Sequence, residues 1–359
     1  MNFPVAINGR FLTRQPTGID RFAAELLGVW LKRQGNTRDV RLLVPASSNA
    51  TLPTDWTIPP EPIGRHTGHL WEQLDLPRHC RDQMLLNMCN SAPLFKKQQL
   101  AVVHDASFLV NPSHFSLPYR TWYRFLTAEL IRNASVIATV SKFSAAELMR
   151  FFGVRSRGIE VIYESGEHIL RSASDAGILS RLNLVGQRYV LAVGSRTLNK
   201  NFSAIVKAAE SLVGMRVKVV AAGGSNSRVF AGAPLQADNL VLAGYVSNEE
   251  LRALYENADC FVFPSFYEGF GLPPLEAMHC GCPVLVSRRG AIPEVCGEAA
   301  AYCDPESPSD IAQQLVRILS SSDLRSHMRE AGYDRVKLFT WGRAADTLQE
   351  LLHSESASP

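Results

Sequence analysis

The chain has 359 residues, which is too long for one typical hydrophobic core and fits two domains of ordinary size. Hydrophobic residues make up 46% and charged residues 20%, and these near-average fractions exclude an intrinsically disordered chain and a fibrous repeat. The formal net charge is +3, but residues 1–170 carry 19 Lys and Arg against 14 Asp and Glu, whereas the remainder carries 18 against 20, so the first half is the basic one.

The first half predicts short strands that alternate with helices. A helix is expected from about Gly18 to Gln34. Strands are expected at residues 5–9, 39–45, 85–90, 100–105, 134–140 and 159–165. Such alternation is typical of a parallel sheet covered by helices on both faces. We therefore expect an α/β domain over residues 1–168.

The second half repeats this order after a polar segment with Ser and Gly, residues 168–177, which predicts a linker. Its strands are expected at residues 189–195, 217–224, 239–246, 259–265, 283–287 and 300–304. A second domain is thus expected over residues 177–338, and a final helix at about 341–354 is expected to pack back on the first domain. Ligands of doubly wound sheets bind beyond the carboxyl ends of the strands, so functional motifs are expected there.

The cysteines and the hydropathy pattern bear on the compartment. Seven cysteines at scattered spacings predict neither a disulfide framework nor a paired CxxC zinc site, which favours a reduced cytoplasmic compartment. No stretch approaches the roughly 18 apolar residues of a membrane span, and the N-terminus lacks a signal-peptide pattern. The basic first half leaves peripheral contact with the anionic inner membrane open. Its aromatic residues at 119–135 have helical spacing, which disfavours a base-stacking site for nucleic acid.

The segment SFYEGFGLPPLEAMHCGCPVLVS, residues 265–287, contains a candidate anion site at a strand end. Its proline pair predicts the start of a helix, which places Glu268 in the loop and Glu276 in the first helical turn. Backbone N–H groups from Gly269 to Leu272 would suit phosphate, because a helix start has unpaired donors and partial positive charge. Carboxylates suit the hydroxyl groups of a ribose or hexose. The loop therefore predicts a sugar-phosphate site, whereas an ordinary turn with Glu276 complementing the helix dipole explains only that residue.

Glu268 and Glu276, with seven residues between them, resemble the E-x7-E signature of the retaining glycosyltransferases of family 4. That family has the GT-B fold, two Rossmann-like domains with a cleft between them, and the resemblance covers nearly the whole chain. It implies an acceptor-binding first domain and a second domain that binds the nucleotide sugar. It also implies that Glu276 holds the ribose, and that Glu268 contacts the donor sugar together with Gly269, Phe270 and Gly271.

The segment VGSRTLNKNF, residues 193–202, is similar to the family's first loop of the second domain, where a basic pair grips the diphosphate. The resemblance implies that Arg196 and Lys200 form this pair and that Ser195 lies in the donor site. The planar fork of Arg and the point charge of Lys both suit phosphate oxygens. Taken alone, Arg196 and Lys200 have an alternative explanation, namely that both are surface charges exposed to solvent.

Three motifs of the first half also resemble the family. RFLTRQPTGIDRFAAELL places Gly18 at a helix start that the donor phosphates or the acceptor approach. VVHDASFLVNPSHF implies that His104 lies beside the transferred sugar, with a capped turn as the alternative. ATVSKFSAAEL implies that Ser141 lies near the diphosphate, while Ser144 is expected to be the helix cap.

The segment LAGYVSNEELRALYENAD, residues 242–259, resembles the family's region that encloses the nucleobase. The resemblance implies that Tyr245 and Val246 contact the base. The chain departs from the family at residues 167–170, where EHIL replaces the frequent NGVD. VHDASFL and TVSKFS are similar to segments of bacterial mannosyl- and rhamnosyltransferases of surface-polysaccharide assembly. This similarity favours a GDP-sugar donor over a UDP-sugar.

The functional prediction is a retaining hexosyltransferase with a nucleotide-diphosphate sugar as donor and a saccharide or lipid-linked saccharide as acceptor. Its catalytic residues would be His104, Arg196, Lys200 and Glu268, and the basic pair would stabilise charge on the leaving diphosphate. No metal or other cofactor is expected. A nucleotide-sugar epimerase and a non-catalytic nucleotide-sugar-binding module remain alternatives. A dinucleotide oxidoreductase is disfavoured, because no predicted strand is followed by G-x-G-x-x-G.

Overall fold

The computed structural model of the chain describes residues 4–35, 37–154, 158–194, 198–223 and 238–356. The chain divides into two compact units, one of Met1–Glu164 with Trp341–Pro359 and the other of Ser165–Thr340. The second unit thus begins three residues before the segment that the sequence predicts as a linker. The final helix belongs to the first unit.

The first unit is built on a parallel sheet with the order β3-β2-β1-β4-β5-β6-β7 in the part of the chain that the structure describes. Its strands are β1 (Val5–Asn8), β2 (Val40–Pro45), β3 (Pro60–Ile63), β4 (Met84–Asn87), β5 (Gln99–Val102), β6 (Val136–Thr139) and β7 (Glu160–Val161). The strand order reverses between β1 and β4, which are neighbours in the sheet but not in the sequence. Ligands of doubly wound folds bind at such a switch point.

Strand β3 is absent from the sequence-based prediction. It has the sequence PEPI, and proline cannot donate a hydrogen bond to a neighbouring strand. The strand lies at the edge of the sheet and pairs only with β2. An edge position tolerates proline, which explains why a strand forms where its composition argues against one.

The helices of the first unit lie between its strands in the sequence, except for the final one, which follows the second unit. They are α1 (Gly18–Arg33), α2 (Gly68–Leu70), α3 (Leu76–His79), α4 (Ser107–Val110), α5 (Leu117–Asn133), α6 (Lys142–Phe152) and α14 (Trp341–Ser356). A π-helical segment, Trp71–Asp75, joins α2 to α3. Helix α14 packs on α1, where Trp30 Nε1 donates to Gln349 Oε1 at 2.9 Å and the rings of Phe22 and Trp341 are 6.0 Å apart.

The second unit has a parallel sheet with the order β10-β9-β8-β11-β12-β13 among its described residues. The strands are β8 (Arg188–Val193), β9 (Val217–Ala222), β10 (Leu240–Gly244), β11 (Cys260–Phe263), β12 (Val284–Ser287) and β13 (Ala301–Cys303). Its helices are α7 (Gly177–Arg181), α8 (Phe202–Glu210), α9 (Asn248–Asn257), α10 (Leu272–His279), α11 (Ile292–Cys296), α12 (Pro308–Ser320) and α13 (Ser322–Val336). This sheet has its switch point between β8 and β11.

Apolar side chains of the strands pack against helices in the second unit. Val190 and Val262 of the sheet share one buried cluster with Ile205 of α8 and Leu315 of α12. The long apolar runs of these strands are what a sheet buried by helices requires. Among the described residues, no helix combines the length and the hydropathy needed to cross a membrane.

The packing of α14 can be tested through Leu348, whose side chain is fully buried in this helix. We expect Leu348→Ala to destabilise the first unit by about 2–5 kcal/mol, because the truncation removes apolar contacts and leaves a cavity. Glu350→Ala, an exposed position of the same helix, is the control and should change stability by less than about 0.5 kcal/mol. Urea unfolding monitored by circular dichroism measures both, and equal midpoints for wild type and Leu348→Ala would contradict the packing.

Candidate functional site

Two loops at the switch point of the second sheet are fastened to each other. One follows β8 and the other follows β11. The backbone N–H of Phe266 donates to the carbonyl of Asn199 at 3.0 Å, and the Asn199 side-chain amide donates to the carbonyl of Tyr267. Asn201, in the left-handed conformation, donates to the carbonyl of Pro264 at 3.2 Å. These hydrogen bonds hold the two strand ends as one structural element.

The same two loops bring two predicted catalytic residues into contact. Lys200 Nζ lies 2.7 Å from Glu268 Oε1 and 4.6 Å from the centre of the Phe263 ring. The side chains of Lys200 and Glu268 are only 18% and 13% exposed, so this ion pair is shielded from water more than a surface pair is. Lys200 is therefore not the solvated surface charge that the alternative explanation of the basic pair requires. The other predicted members of this loop, Ser195 and Arg196, lie outside the described residues.

Glycines allow the backbones around this ion pair to approach closely. A Cβ atom on Gly223, which has φ of +138°, would lie 2.1 Å from the carbonyl oxygen of Gly194. A Cβ atom on Gly290, with φ of +61°, would lie 2.5 Å from the carbonyl oxygen of Glu268. Any other residue would be strained at these positions and would push the two facing backbones apart. The loop after β8 therefore depends on glycine at position 223, and the loop after β11 depends on glycine at position 290.

Helix α10 begins at Leu272, one residue before the proline pair, and Gly271 with φ of +106° is its N-cap. Glu276 is the fifth residue of this helix, so the prediction that it lies in the first turn is wrong. Because the prolines occupy the second and third positions and have no N–H group, the first turn supplies few backbone donors of its own. Amide donors for an anion must therefore come from Gly269 to Leu272. The side chain of Phe270 packs in the interior, with its ring 5.9 Å from that of Phe339, so it presents only its backbone to a ligand.

Glu276 is buried and held by two side chains of the same unit. His168 Nε2 lies 2.7 Å from Glu276 Oε1, and the Tyr255 hydroxyl donates to Oε2 at 3.1 Å. Both oxygens are thereby fixed in position. A carboxylate oriented in this way is suited to accept hydrogen bonds from neighbouring hydroxyl groups of a ligand.

His168 is a residue of the site that the sequence-based prediction missed. It lies in the short 3-10 segment Glu167–Leu170, the EHIL stretch at which the chain departs from the family pattern. That stretch was predicted to be the start of a loose linker, but His168 and Ile169 are buried. Gly166 makes the contact possible, because a Cβ atom there would lie 2.8 Å from the backbone nitrogen of Glu276. The sequence signal at this position was the departure from the family pattern, in which EHIL stands where NGVD is frequent.

The electrostatics around Glu276 fix the protonation of its neighbours. Burial raises the pKa of Tyr255 well above its ordinary value, and the nearby Glu276 carboxylate adds to the shift, so the hydroxyl keeps its proton and donates. Burial lowers the pKa of His279, at the end of α10, to about 4. At neutral pH His279 is therefore uncharged and does not compete with His168 for the carboxylate.

The residues predicted to enclose the nucleobase follow the edge strand β10. Tyr245 is 85% exposed, and Val246 is partly buried. Since β9 lies between β10 and β8, these residues lie two strands away from the ion pair. An exposed aromatic ring at a strand end is available for stacking on a base.

The predicted residues of the first unit lie beyond β1, β5 and β6. Gly18 starts α1, and a Cβ atom there would meet nothing within 4 Å, so the fold itself does not require glycine. His104 is buried, with Nε2 donating to the Met88 carbonyl at 2.9 Å and Nδ1 lying 3.4 Å from Glu164 Oε1. His104 is thus held on both sides by protein groups, and its contact with a sugar stays a prediction.

Ser141, and not Ser144, is the N-cap of α6. The Ser141 hydroxyl accepts from the backbone N–H of Ser144 at 2.9 Å, so the predicted assignment of the cap to Ser144 is wrong. The hydroxyl of Ser144 falls three residues further on, inside the first turn. An N-cap needs an extended backbone, and Ser141 has φ of −157° and ψ of 159°.

Among the described residues, no three His, Cys, Asp or Glu side chains converge on one point as metal ligands would. The pair Cys280 and Cys282, close in sequence to His279, has thiol pKa values raised by burial. These thiols therefore stay protonated at neutral pH.

The second unit matches the sequence profile of the glycosyl transferases group 1 family over residues 180–335. The chain is 30% identical to the O-antigen chain mannosyltransferase B of Escherichia coli over 256 residues, which are 68% of this chain and 67% of that protein. The chain belongs to the group 1 glycosyltransferases.

A second relative of this glycosyltransferase is the serotype-specific mannosyltransferase WbdA of Escherichia coli, 28% identical over 262 residues. The match covers 68% of this chain but only 32% of WbdA. The Anabaena protein HepE, whose structure is a complex with UDP-glucose, superposes with a TM-score of 0.72 and 16% identity, covering 98% of this chain and 99% of HepE. The fold is thus confirmed as GT-B with two parallel-sheet α/β domains.

His168→Ala tests the support of Glu276 in this glycosyltransferase. Removal of a donor from a buried carboxylate costs about 1–3 kcal/mol, and we expect the melting temperature of the second unit to fall by several degrees. His327→Ala is the control, because His327 is exposed on α13 and should leave the melting temperature unchanged. Scanning calorimetry would contradict the assignment if both variants melted with the wild type.

Proposed function

We propose that the chain is a retaining hexosyltransferase that transfers a mannose- or rhamnose-like sugar from a nucleotide-diphosphate donor, with a GDP-sugar preferred. The acceptor is a saccharide or lipid-linked saccharide of bacterial surface-polysaccharide biosynthesis. The reaction takes place in the cytoplasm, with peripheral attachment to the anionic inner membrane through the basic first unit. The observation that carries the proposal is the shielded ion pair of Lys200 and Glu268 at the switch point of the second sheet. The same unit contains the Glu276 carboxylate that His168 holds in position.

The ion pair suggests how the donor is held. A diphosphate that arrives beside Lys200 offers this ammonium group a second anionic partner, and Glu268 then becomes available for the hydroxyl groups of the sugar. The donor phosphates would lie against Lys200, Arg196 and the amides from Gly269 to Leu272. Glu276 would accept the hydroxyl groups of the ribose, and Tyr245 and Val246 would contact the base.

The rate enhancement follows from charge that develops on the leaving diphosphate. The acceptor hydroxyl attacks the anomeric carbon from the face that the diphosphate leaves, and a phosphate oxygen takes the proton of the hydroxyl. Cationic and amide donors that are already directed at the phosphate stabilise this transition state more than the ground state. By resemblance to the family, Ser141 and Gly18 are assigned to the donor phosphates and His104 to the transferred sugar.

The choice of donor and acceptor is supported by the relatives. Two curated relatives are named as mannosyltransferases, and one of them acts on the O-antigen chain. The structural neighbour HepE was solved with UDP-glucose, so the assay includes a UDP-sugar as a competing donor. A nucleotide-sugar epimerase of the same fold and a non-catalytic binding module are the competing functions.

Transfer activity is tested by incubating the full chain with GDP-mannose, GDP-rhamnose or UDP-glucose and lipid-linked saccharide acceptors. We expect acceptor-dependent release of the nucleotide diphosphate and a product whose anomeric configuration, read by NMR, equals that of the donor. An epimerase would change the donor sugar without acceptor, and a binding module would release no nucleotide. Either outcome would reject the proposal.

Within that assay, we expect Lys200→Gln to lower kcat by about 10²- to 10³-fold, because one charged donor to the leaving group is lost. Lys207→Gln is the matched control, since Lys207 is exposed on α8 and should leave kcat unchanged. Steady-state kinetics with circular dichroism as a check of folding measures both. Equal kcat values for the two variants would remove Lys200 from the mechanism.

Metal independence is a separate expectation, because the cationic side chains and loop amides already neutralise the diphosphate. Full activity should persist in excess EDTA after dialysis against the chelator. Loss of activity that added Mg²⁺ or Mn²⁺ restores would show that a metal ion takes part. The transfer reaction itself would stand in that case.

A further inference from the structure

A groove lies beside β13, the edge strand of the second sheet, and is lined by residues of this strand, of α12 and of α13. Among the described strands β13 pairs with β12 alone, so its outer edge has no strand beside it. The groove encloses a cavity of about 430 Å³, a size within the range of about 300–1,000 Å³ that small-ligand pockets have. Ile318 and Met328 contribute buried apolar surface to its walls. Because β12 separates β13 from the switch point at β8 and β11, the groove is distinct from the candidate donor site.

Three basic side chains line this groove. Arg288 follows β12, Arg317 lies in the last turn of α12, and His327 lies on α13. None of the three forms an ion pair or a side-chain hydrogen bond within the part of the chain that the structure describes. Glu298 is the one carboxylate among the described lining residues, and it has no ion-pair partner there either. Two guanidinium groups against one carboxylate give the groove an excess of positive charge, which its apolar walls reinforce and which favours an anionic ligand.

Neighbouring arginines of the same unit are engaged by the chain itself. Arg289 Nη2 donates to Glu306 Oε1 at 3.0 Å. Arg329 Nε, on α13, donates to the carbonyl of Gly281 at 2.9 Å. Arg288 is adjacent to Arg289 in the sequence, but its N–H groups have no acceptor among the described residues. The chain thus provides partners for these arginines around the groove and none for the two that line it.

An aromatic ring orients Arg288. Its guanidinium carbon lies 4.0 Å from the centre of the Tyr302 ring on β13. The Tyr302 hydroxyl donates to the carbonyl of Gly297 at 2.7 Å, which fixes the ring. Burial raises the pKa of Tyr302 to about 12, so the ring stays uncharged at neutral pH and does not neutralise Arg288. A cation–π contact orients the guanidinium group and leaves its N–H donors available to the oxygens of an anion.

Charged side chains beside an edge strand also have a structural explanation, because they discourage pairing with another chain. That explanation requires neither a cavity nor an arginine that a ring holds in one orientation. It also predicts that Arg288 and Arg289 are equivalent, whereas only Arg289 has a carboxylate partner in the described residues.

The lining residues indicate the class of the anion. The planar forks of Arg288 and Arg317 suit the oxygens of a phosphate group. Glu298 would repel a bare phosphate ion, but its carboxylate accepts the hydrogens of hydroxyl groups, and the side-chain amide of Gln314 can donate to them or accept from them. A molecule that carries a phosphate group and hydroxyl groups satisfies both requirements.

We propose that this groove binds a sugar phosphate. The phosphate group lies against Arg288, Arg317 and His327, and the hydroxyl groups of the sugar donate to Glu298. None of these residues belongs to the proposed donor site. The inference therefore stands independently of the proposed function.

One loop connects this groove to the candidate donor site. Residues 288–291 join β12 to α11, and the backbone N–H of Ala291 donates to the carbonyl of Glu268 at 3.0 Å. A phosphate on Arg288 therefore contacts the segment that supports Glu268.

The test is calorimetric titration of the full chain with D-mannose 6-phosphate as the probe. We expect Arg288→Gln to weaken binding by about tenfold or more, because a charged donor to the phosphate is lost. Arg289→Gln is the matched control, with the same loss of charge one residue away at an arginine that Glu306 engages, and should bind within about twofold of wild type. Lys200→Gln, in the proposed donor site, should also bind the probe within about twofold of wild type. Circular dichroism checks that all variants fold.

Glu298→Gln tests the sugar part of the ligand. We expect it to weaken binding of D-mannose 6-phosphate by about threefold or more, because a charged acceptor of hydroxyl hydrogens is lost. Inorganic phosphate, titrated as a second probe, should bind this variant at least as tightly as the wild type. Unchanged binding of D-mannose 6-phosphate would overturn the sugar assignment.

Three results would overturn the site as a whole. They are equal losses in Arg288→Gln and Arg289→Gln, a loss in Lys200→Gln as large as that in Arg288→Gln, and no binding of the probe to the wild type. A chain that fails to transfer sugar but binds the probe through Arg288 would reject the proposed function and leave this site in place.

Discussion

The ion pair between Lys200 and Glu268 is the constraint on which the candidate site depends. Its two members come from loops that are 68 residues apart in the chain and leave adjacent parallel strands. The pair is largely shielded from water, and in the proposed mechanism a donor phosphate replaces the carboxylate as the partner of Lys200. The loop after β8 is approached closely at Gly194 by Gly223, which follows β9, and the loop after β11 is approached closely at Glu268 by Gly290, which follows β12.

Buried carboxylates organise both units in a comparable way. In the second unit Glu276 is positioned by His168 and Tyr255, and in the first unit Glu72 is positioned by Asn8 and Ser91. A carboxylate is costly to bury, so each is retained only with donors that offset its desolvation. Glu276 and Glu72 lie near the switch points of their own sheets.

The alternation of apolar runs with helical segments was sufficient to predict two doubly wound units, because buried parallel strands leave a strong pattern in the sequence. Strand β3 was missed since its prolines argue against a strand and only its edge position permits one. The proline pair located the start of α10 to within one residue, but it did not reveal that Gly271 is the cap, and Glu276 is therefore the fifth helical residue instead of a member of the first turn. His168 was missed because its contact with Glu276 spans 108 residues, and the departure from the family pattern at residues 167–170 did not by itself identify the partner.

The most direct measurement is a crystal structure of the full chain with an unhydrolysed GDP-sugar. The proposed mechanism predicts diphosphate oxygens within hydrogen-bond distance of Lys200 Nζ and of the amides from Gly269 to Leu272, with the ribose hydroxyl groups on Glu276. A nucleotide sugar bound away from the carboxyl ends of β8 and β11, or a Lys200–Glu268 pair that no donor atom approaches, would contradict it.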